Sequence, residues 1–160
     1  MDKLKKLYNY LKKNKNKKIL FLTTSNRWEG DNELPKSSII ADELIKKLGS
    51  DRVQLINVAK LKIYPCEGNV SRKDGNSCGI LKAMLKDKNK NPSGNHRCWA
   101  SYNDPKDELW KISKELFESN AVIFFSSVRW GQANMFYQKL IERLTWIENR
   151  HTTLGESNIV

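Results

Sequence analysis

Two short polar segments hold most of the side chains that could do chemistry. Ser25, Asn26 and Arg27 stand together, and Ser37 and Ser38 follow at the start of a helical pattern; far along the chain comes Ser126-Ser127-Val128-Arg129-Trp130-Gly131. In the first set, hydroxyls, free backbone N–H groups and the positive end of a helix converge, which suits an anion or a phosphate. It has neither the glycine and lysine spacing of a P-loop nor the GxGxxG of a dinucleotide fold. In the second set, Ser126 and Ser127 offer hydroxyls, Arg129 and Trp130 offer flat cationic and aromatic surfaces, and Gly131 lets a backbone approach a planar ligand closely. Each residue type also has a plain structural use. Serine and asparagine cap helices and make turns, and a tryptophan packs on a core rim with its arginine neighbour in solvent.

Both sets follow apolar runs. Lys18-Ile19-Leu20-Phe21-Leu22 precedes the first and Ala121-Val122-Ile123-Phe124-Phe125 the second. A near-continuous run of this length, closely followed by a helix, predicts a parallel strand buried on both faces. Between the runs, Ile40, Ala41, Leu44, Ile45 and Leu48 recur at helical spacing until Gly49, and Val53 to Val58 reads as another strand. Strand, helix and strand make a right-handed βαβ unit, so the fold class is α/β with an open parallel sheet. Asp104-Pro105 with Asp107 and Glu108 opens a helix carrying Leu109, Ile112, Leu116 and Phe117. A last helix over 133–149 shows one stripe of Phe136, Leu140, Leu144 and Ile147, with Lys139, Glu142 and Arg143 beside it. Ligands of open α/β sheets sit outside the carboxyl ends of the strands, where the winding reverses. With strand order 2-1-3, the strand at Ile19 lies beside the strand at Ala121. Both polar turns then flank that switch point, one suited to a phosphate and the other to a ring.

The remaining segments say less. Residues 3–13 place Leu4, Leu7, Tyr8 and Leu11 on one helical stripe with lysines opposite, predicting a basic helix over 1–17 appended to a body over 18–160. It reads as an appendage docked by its Leu/Tyr face, with an anionic partner or membrane surface as the alternative. Residues 60–103 form a long, poorly patterned connection, apart from a short helix around Ile80, Leu81, Met84 and Leu85. The net charge is +11, but residues 1–18 hold eight lysines and one acid, so the body is only mildly basic. That argues against a nucleic-acid partner, whose surface would spread arginine and lysine over one face. No apolar stretch is long enough to span a bilayer, and no secretion signal precedes the body. Cys66, Cys78 and Cys98 are odd in number and widely spaced, which argues for reduced thiols and a cytoplasmic location.

The segment FFSSVRWGQANMFYQKLIERL resembles the NAD(P)H-dependent FMN reductase family, whose strand ends in Ser-Pro-Val-Tyr-Trp/Phe-Gly and whose next helix carries Lys-x-x-Ile-Asp-Arg. Ser126, Val128, Trp130, Gly131, Lys139, Ile141 and Arg143 match, with Ile141 one place closer to Lys139. Ser127 replaces Pro, Arg129 replaces Tyr and Glu142 replaces Asp. The first turn is similar to the family's Ser-x-Arg phosphate loop at Ser25 and Arg27, with Ser37 or Ser38 at its helix start, in a loop about five residues longer. Ile63 to Gly68 is similar to its Pro-Cys-x-Gly-Cys stretch, with Asn69 where the second cysteine would stand. That residue and the spacing of the three thiols argue against an iron–sulfur cluster, and without CxxC pairs His96, Cys98 and Cys78 make a weak zinc set.

The resemblance implies a flavodoxin-like open parallel sheet that lacks its later strands and, with them, the C-terminal part of such a domain. It implies FMN held with its phosphate at Ser25, Asn26, Arg27, Ser37 and Ser38 and its ring at Ser126, Ser127, Val128, Arg129, Trp130 and Gly131. The implied activity is an oxidoreductase in which NAD(P)H gives hydride to FMN and a small-molecule acceptor takes the electrons, in a homo-oligomer. The cofactor does the chemistry in such enzymes, so no catalytic acid–base pair or metal is expected. The other reading is a non-enzymatic flavodoxin-like electron carrier or partner-binding module.

Overall fold

The computed structural model describes residues 2–28, 30–68, 78 and 85–154. Asn69, the expected helix at Ile80 to Met84 and residues 155–160 lie outside them. The chain is α/β, with five helices and a three-stranded parallel sheet among the described residues. Its contacts divide it into two compact units, Met1–Ala59 with Glu118–Asn134, and Lys60–Phe117 with Met135–Val160.

The first unit holds α1 (Asp2–Lys13), β1 (Ile19–Thr23), α2 (Lys36–Leu48), β2 (Val53–Asn57) and β3 (Ala121–Phe125), then a small antiparallel pair, β4 (Val128–Arg129) and β5 (Gln132–Ala133). The parallel strands run in the order β2-β1-β3, the order of a partial flavodoxin-like sheet. β1 is central, pairing Ile19 with Val53 on one side and with Ala121 on the other. Its apolar residues on both faces are fully buried, which is why the run is continuous rather than alternating. On one face Ile19 and Phe21 pack with Leu11, Ala41 and Val53, and Leu44, Ile45, Ile123 and Phe125 close over them. The Phe21 and Phe125 rings stand 4.9 Å apart, tilted by 53°, a favourable edge-biased geometry. The N-terminal helix is thus docked by Leu11, and the Arg52 guanidinium donates to the Leu11 carbonyl at 2.7 Å. α2 ends as its sequence predicts: Gly49 adopts φ 100° and its N–H donates to the Ile45 carbonyl.

The second unit contains α3 (Trp99–Asn103), α4 (Leu109–Glu118, whose last residue belongs to the first unit) and α5 (Met135–Leu154). The sequence predicts α4 and α5 but not α3. Asp107, expected in the first turn of α4, lies just before it and its Oδ1 accepts the Leu109 N–H at 3.1 Å. The deepest residues of α5 are Leu140, Arg143, Trp146 and Asn149, so the buried stripe runs through Arg143 rather than beside it. A buried guanidinium is tolerable only with partners. Arg143 has them: both Asp107 carboxylate oxygens at 2.8 and 3.0 Å, the Ser101 hydroxyl at 3.0 Å and the Tyr64 carbonyl at 2.7 Å. Burial alone would raise the Asp107 carboxyl, but hydrogen bonds from Arg143 and Ser101, the Arg143 charge and the Tyr64 N–H hold it below its usual range.

His96 is equally buried. Its Nδ1 lies 2.7 Å from the Ser113 hydroxyl, and its ring meets Trp146 edge-on at 5.3 Å. Burial pushes its pKa down to about 4, so it is neutral at pH 7, a core histidine rather than an acid–base group on a surface. Cys78 is buried too, and burial, with the Cys98 and Cys66 thiols adding to it, pushes its thiol up to about 12.

Two outcomes follow for stability. Asp107→Ala strands the Arg143 charge and is expected to cost about 3–5 kcal/mol in urea unfolding; a loss under 1 kcal/mol means the pair is solvated. The folded pKa of His96 lies below the unfolded value of about 6.5, so the unfolded chain takes up the proton first. Stability should therefore fall on the order of 2 kcal/mol between pH 7 and pH 4.5, and His96→Gln should flatten that part of the profile relative to the parent.

Candidate functional site

The register of β1 on β3 sets the site. Thr23 pairs with Phe125, and the Thr24 N–H donates to the Phe125 carbonyl at 3.0 Å, carrying the ladder one residue beyond the strands. The chain therefore leaves both strands at one level, and the polar turns begin side by side. They share an open cavity of about 810 Å³ in the first unit, within the size range of ligand sites. Ser25, Asn26, Arg27, Ser37, Ser126, Ser127 and Arg129 line it.

Ser25 is 3% exposed, and its hydroxyl has no hydrogen-bond partner among the described residues; the buried hydroxyl of Ser37, which lines the same cavity, has none among them either. An unsatisfied buried hydroxyl costs about 1–3 kcal/mol, and both of these belong to residues that line one cavity. Ser37 lies in the first turn of α2. That helix starts at Lys36 behind Pro35, with no side-chain cap on its first N–H groups. The sequence reading of serines as punctuation therefore does not apply here: the cap position is proline, and the positive helix end is open to the cavity. Ser38 sits one residue further, its N–H on the Pro35 carbonyl at 2.9 Å, and does not line the cavity.

Arg27 is occupied. Its guanidinium donates to Asp31 at 2.9 Å and to Glu33 at 3.4 Å, while the Asp31 carboxylate also accepts the Glu33 N–H at 2.9 Å. That N–H, then the Arg27 hydrogen bond and charge, outweigh desolvation and hold the Asp31 carboxyl below its usual range. Asp31 itself lines the cavity. The cations not tied up in this clamp are Lys36 on the rim of α2 and Arg129 on β4.

The second turn is a hairpin, which the sequence reading does not anticipate. Arg129 pairs with Gln132 across a two-residue turn whose central residues, Trp130 at φ 53° and Gly131 at φ 74°, are both left-handed. Those signs define a type I′ turn, whose twist matches the strands it joins. Asn134 secures the base, its N–H on the Ser127 carbonyl and its amide on the Ser127 hydroxyl at 3.0 Å. Of the residues expected to face a ring, Ser126, Ser127 and Arg129 reach the cavity. Val128, Trp130 and Gly131 do not; the turn holds Trp130 at its tip with its side chain fully in solvent.

Trp28, Asp31 and Lys36 line the cavity without having been singled out from the sequence. An aromatic residue close to a glycine, and an acid four residues after Arg27, were the available signals. Among the described residues no group of three or more His, Cys, Asp and Glu side chains is arranged to hold a metal ion, and none of their helices is long and apolar enough to cross a membrane. No protein-family model, curated protein or solved structure matches the chain.

Asp31 sets the cavity's charge balance. Asp31→Asn removes a negative group from the wall and loosens the hold on the Arg27 guanidinium, so affinity for inorganic phosphate should rise severalfold in low salt, read by calorimetry. A fall instead would mean that the clamp shapes the anion site.

Proposed function

We propose that the cavity between the β1–α2 and β3–β4 connections binds FMN, and that the protein is an oxidoreductase that takes hydride from NAD(P)H and passes electrons to a small-molecule acceptor. The observation that carries the reading is that Ser25 and Ser37, whose buried hydroxyls have no partner among the described residues, line one cavity at the open end of α2. Phosphate oxygens are acceptors of the right charge for hydroxyl donors and helix N–H groups. The position agrees with the switch point of an open sheet with order 2-1-3. The likeness of 124–144 to the FMN reductase segment supplies the choice of a flavin over other phosphorylated ring compounds.

Bound FMN would supply the redox chemistry, accepting hydride and giving electrons up. The chain's own residues bind and position. Ser25, Ser37 and the first N–H groups of α2 hold the phosphate, and Lys36 adds charge at the rim. Ser126 and Ser127 border the ring end, and the Arg129 guanidinium there favours a ring carrying negative charge. Asp31 stays ionised and so has no proton to give at neutral pH.

The test is a spectral titration of the purified chain with FMN and with riboflavin, followed by NADPH. FMN should bind more tightly than riboflavin, its visible band should shift, and NADPH should bleach it. Ser25→Ala and Ser37→Ala should each weaken FMN by roughly tenfold, the scale of a hydrogen bond to a charged group, and leave riboflavin unchanged. Binding without bleaching supports the electron-carrier reading. No binding of either flavin removes the proposal.

A further inference from the structure

The β1–α2 loop is built to present an aromatic face. Its cross-bonds form a compact ring: Arg27 to Asp31 and Glu33, the Glu33 N–H to Asp31, and the Asp31 N–H to the Trp28 carbonyl at 2.9 Å. In the same loop the Trp28 indole lies against Gly30. A Cβ added at Gly30 would stand 2.3 to 2.6 Å from three atoms of the indole's six-membered ring. The indole therefore occupies the space that any other residue would fill. Yet Trp28 is 79% exposed, and it lines the cavity. An exposed tryptophan ordinarily gives up rotamer freedom on meeting a ligand, and one already seated gives up less.

We infer that Trp28 is a specificity-determining residue that stacks on the planar ring of the cavity's ligand, and that the Arg27–Asp31–Glu33 clamp positions it. The inference rests on the FMN reading and adds to it the residue that recognises the ring. It reassigns Arg27 from a phosphate partner to a positioning residue of the loop. It also gives the longer first loop a purpose, because Trp28 and its glycine seat lie within that loop. The serine hydroxyls and α2 recognise the phosphate, and the aromatic face recognises the ring. The two recognitions are separable by substitution.

The experiment measures FMN, riboflavin and inorganic phosphate binding to the full chain and to Trp28→Ala and Trp28→Phe. Trp28→Ala should weaken FMN and riboflavin by the same factor, on the order of tenfold as for other base-on-aromatic stacks, and leave phosphate affinity unchanged. Flavin fluorescence, quenched by the stacked indole in the parent, should recover in flavin bound to Trp28→Ala. Trp28→Phe should keep most of the affinity. Equal flavin affinity in the parent and Trp28→Ala overturns the inference and leaves the FMN reading standing. Loss of FMN and phosphate together in Trp28→Ala also overturns it, because the residue would then act only by shaping the anion site. A parent that binds no flavin removes the FMN reading and this inference with it.

Discussion

The position of every group in the cavity depends on β1 being paired in parallel on both sides. Ile19 to Thr23 meets Val53 to Asn57 along one edge and Ala121 to Phe125 along the other, residue for residue. Because the strands point the same way and keep one register, the chain comes off β1 and β3 at the same height. Bringing Ser25 beside Ser126 closes a loop of about a hundred residues, an entropic penalty that grows only with the logarithm of loop length. The buried faces of β1 return far more than that increment. Substitutions that loosen Phe21 or Phe125 would thus act on the cavity as well as on stability.

Inside the cavity, opposing demands meet. The proposed phosphate recognition favours free positive charge, while an ordered loop favours neutralised charge. Arg27 is committed to the second demand by two carboxylates, and under the proposal hydroxyls, helix N–H groups, Lys36 and Arg129 serve the first. Hydroxyls without partners carry a standing penalty in the folded chain. On the proposed reading, the ordered loop and the unsatisfied wall are both features of a site prepared before its ligand arrives.

Much of this was legible from local pattern. The five-residue apolar runs marked β1 and β3, Gly49 marked the end of α2, and the order of the sheet followed from the usual winding. What escaped depended on distance or on a rule broken locally. Arg143 reads as a surface residue because its partner Asp107 lies far off in the chain, just before α4, and no periodicity links the two. The hairpin was hidden because tryptophan is an unusual occupant of a left-handed turn position, where Asn-Gly or Asp-Gly would have announced it. Arg27 reads as a free cation from its type and place, whereas Asp31 and Glu33, four and six residues on, accept its hydrogen bonds. Ser25 and Ser37 were the opposite case, since residue type and place were enough to expect them on one cavity. Trp28 could be weighed only once its seat on Gly30 was known.

Neither compact unit is continuous in sequence. The first takes its third strand and hairpin from Glu118–Asn134, and the second resumes only at Met135. A chain emerging from the ribosome exposes α1, β1, α2 and β2 long before β3 exists to cover the other edge of β1. The helices Trp99–Asn103 and Leu109–Glu118 must likewise wait for Arg143 before Asp107 meets its counter-charge. Synthesis therefore passes through a long interval in which an apolar strand edge and an unpaired carboxylate are both uncovered, the circumstance in which nascent chains depend most on chaperones. The same interleaving means that a single cut in the chain cannot release either unit whole.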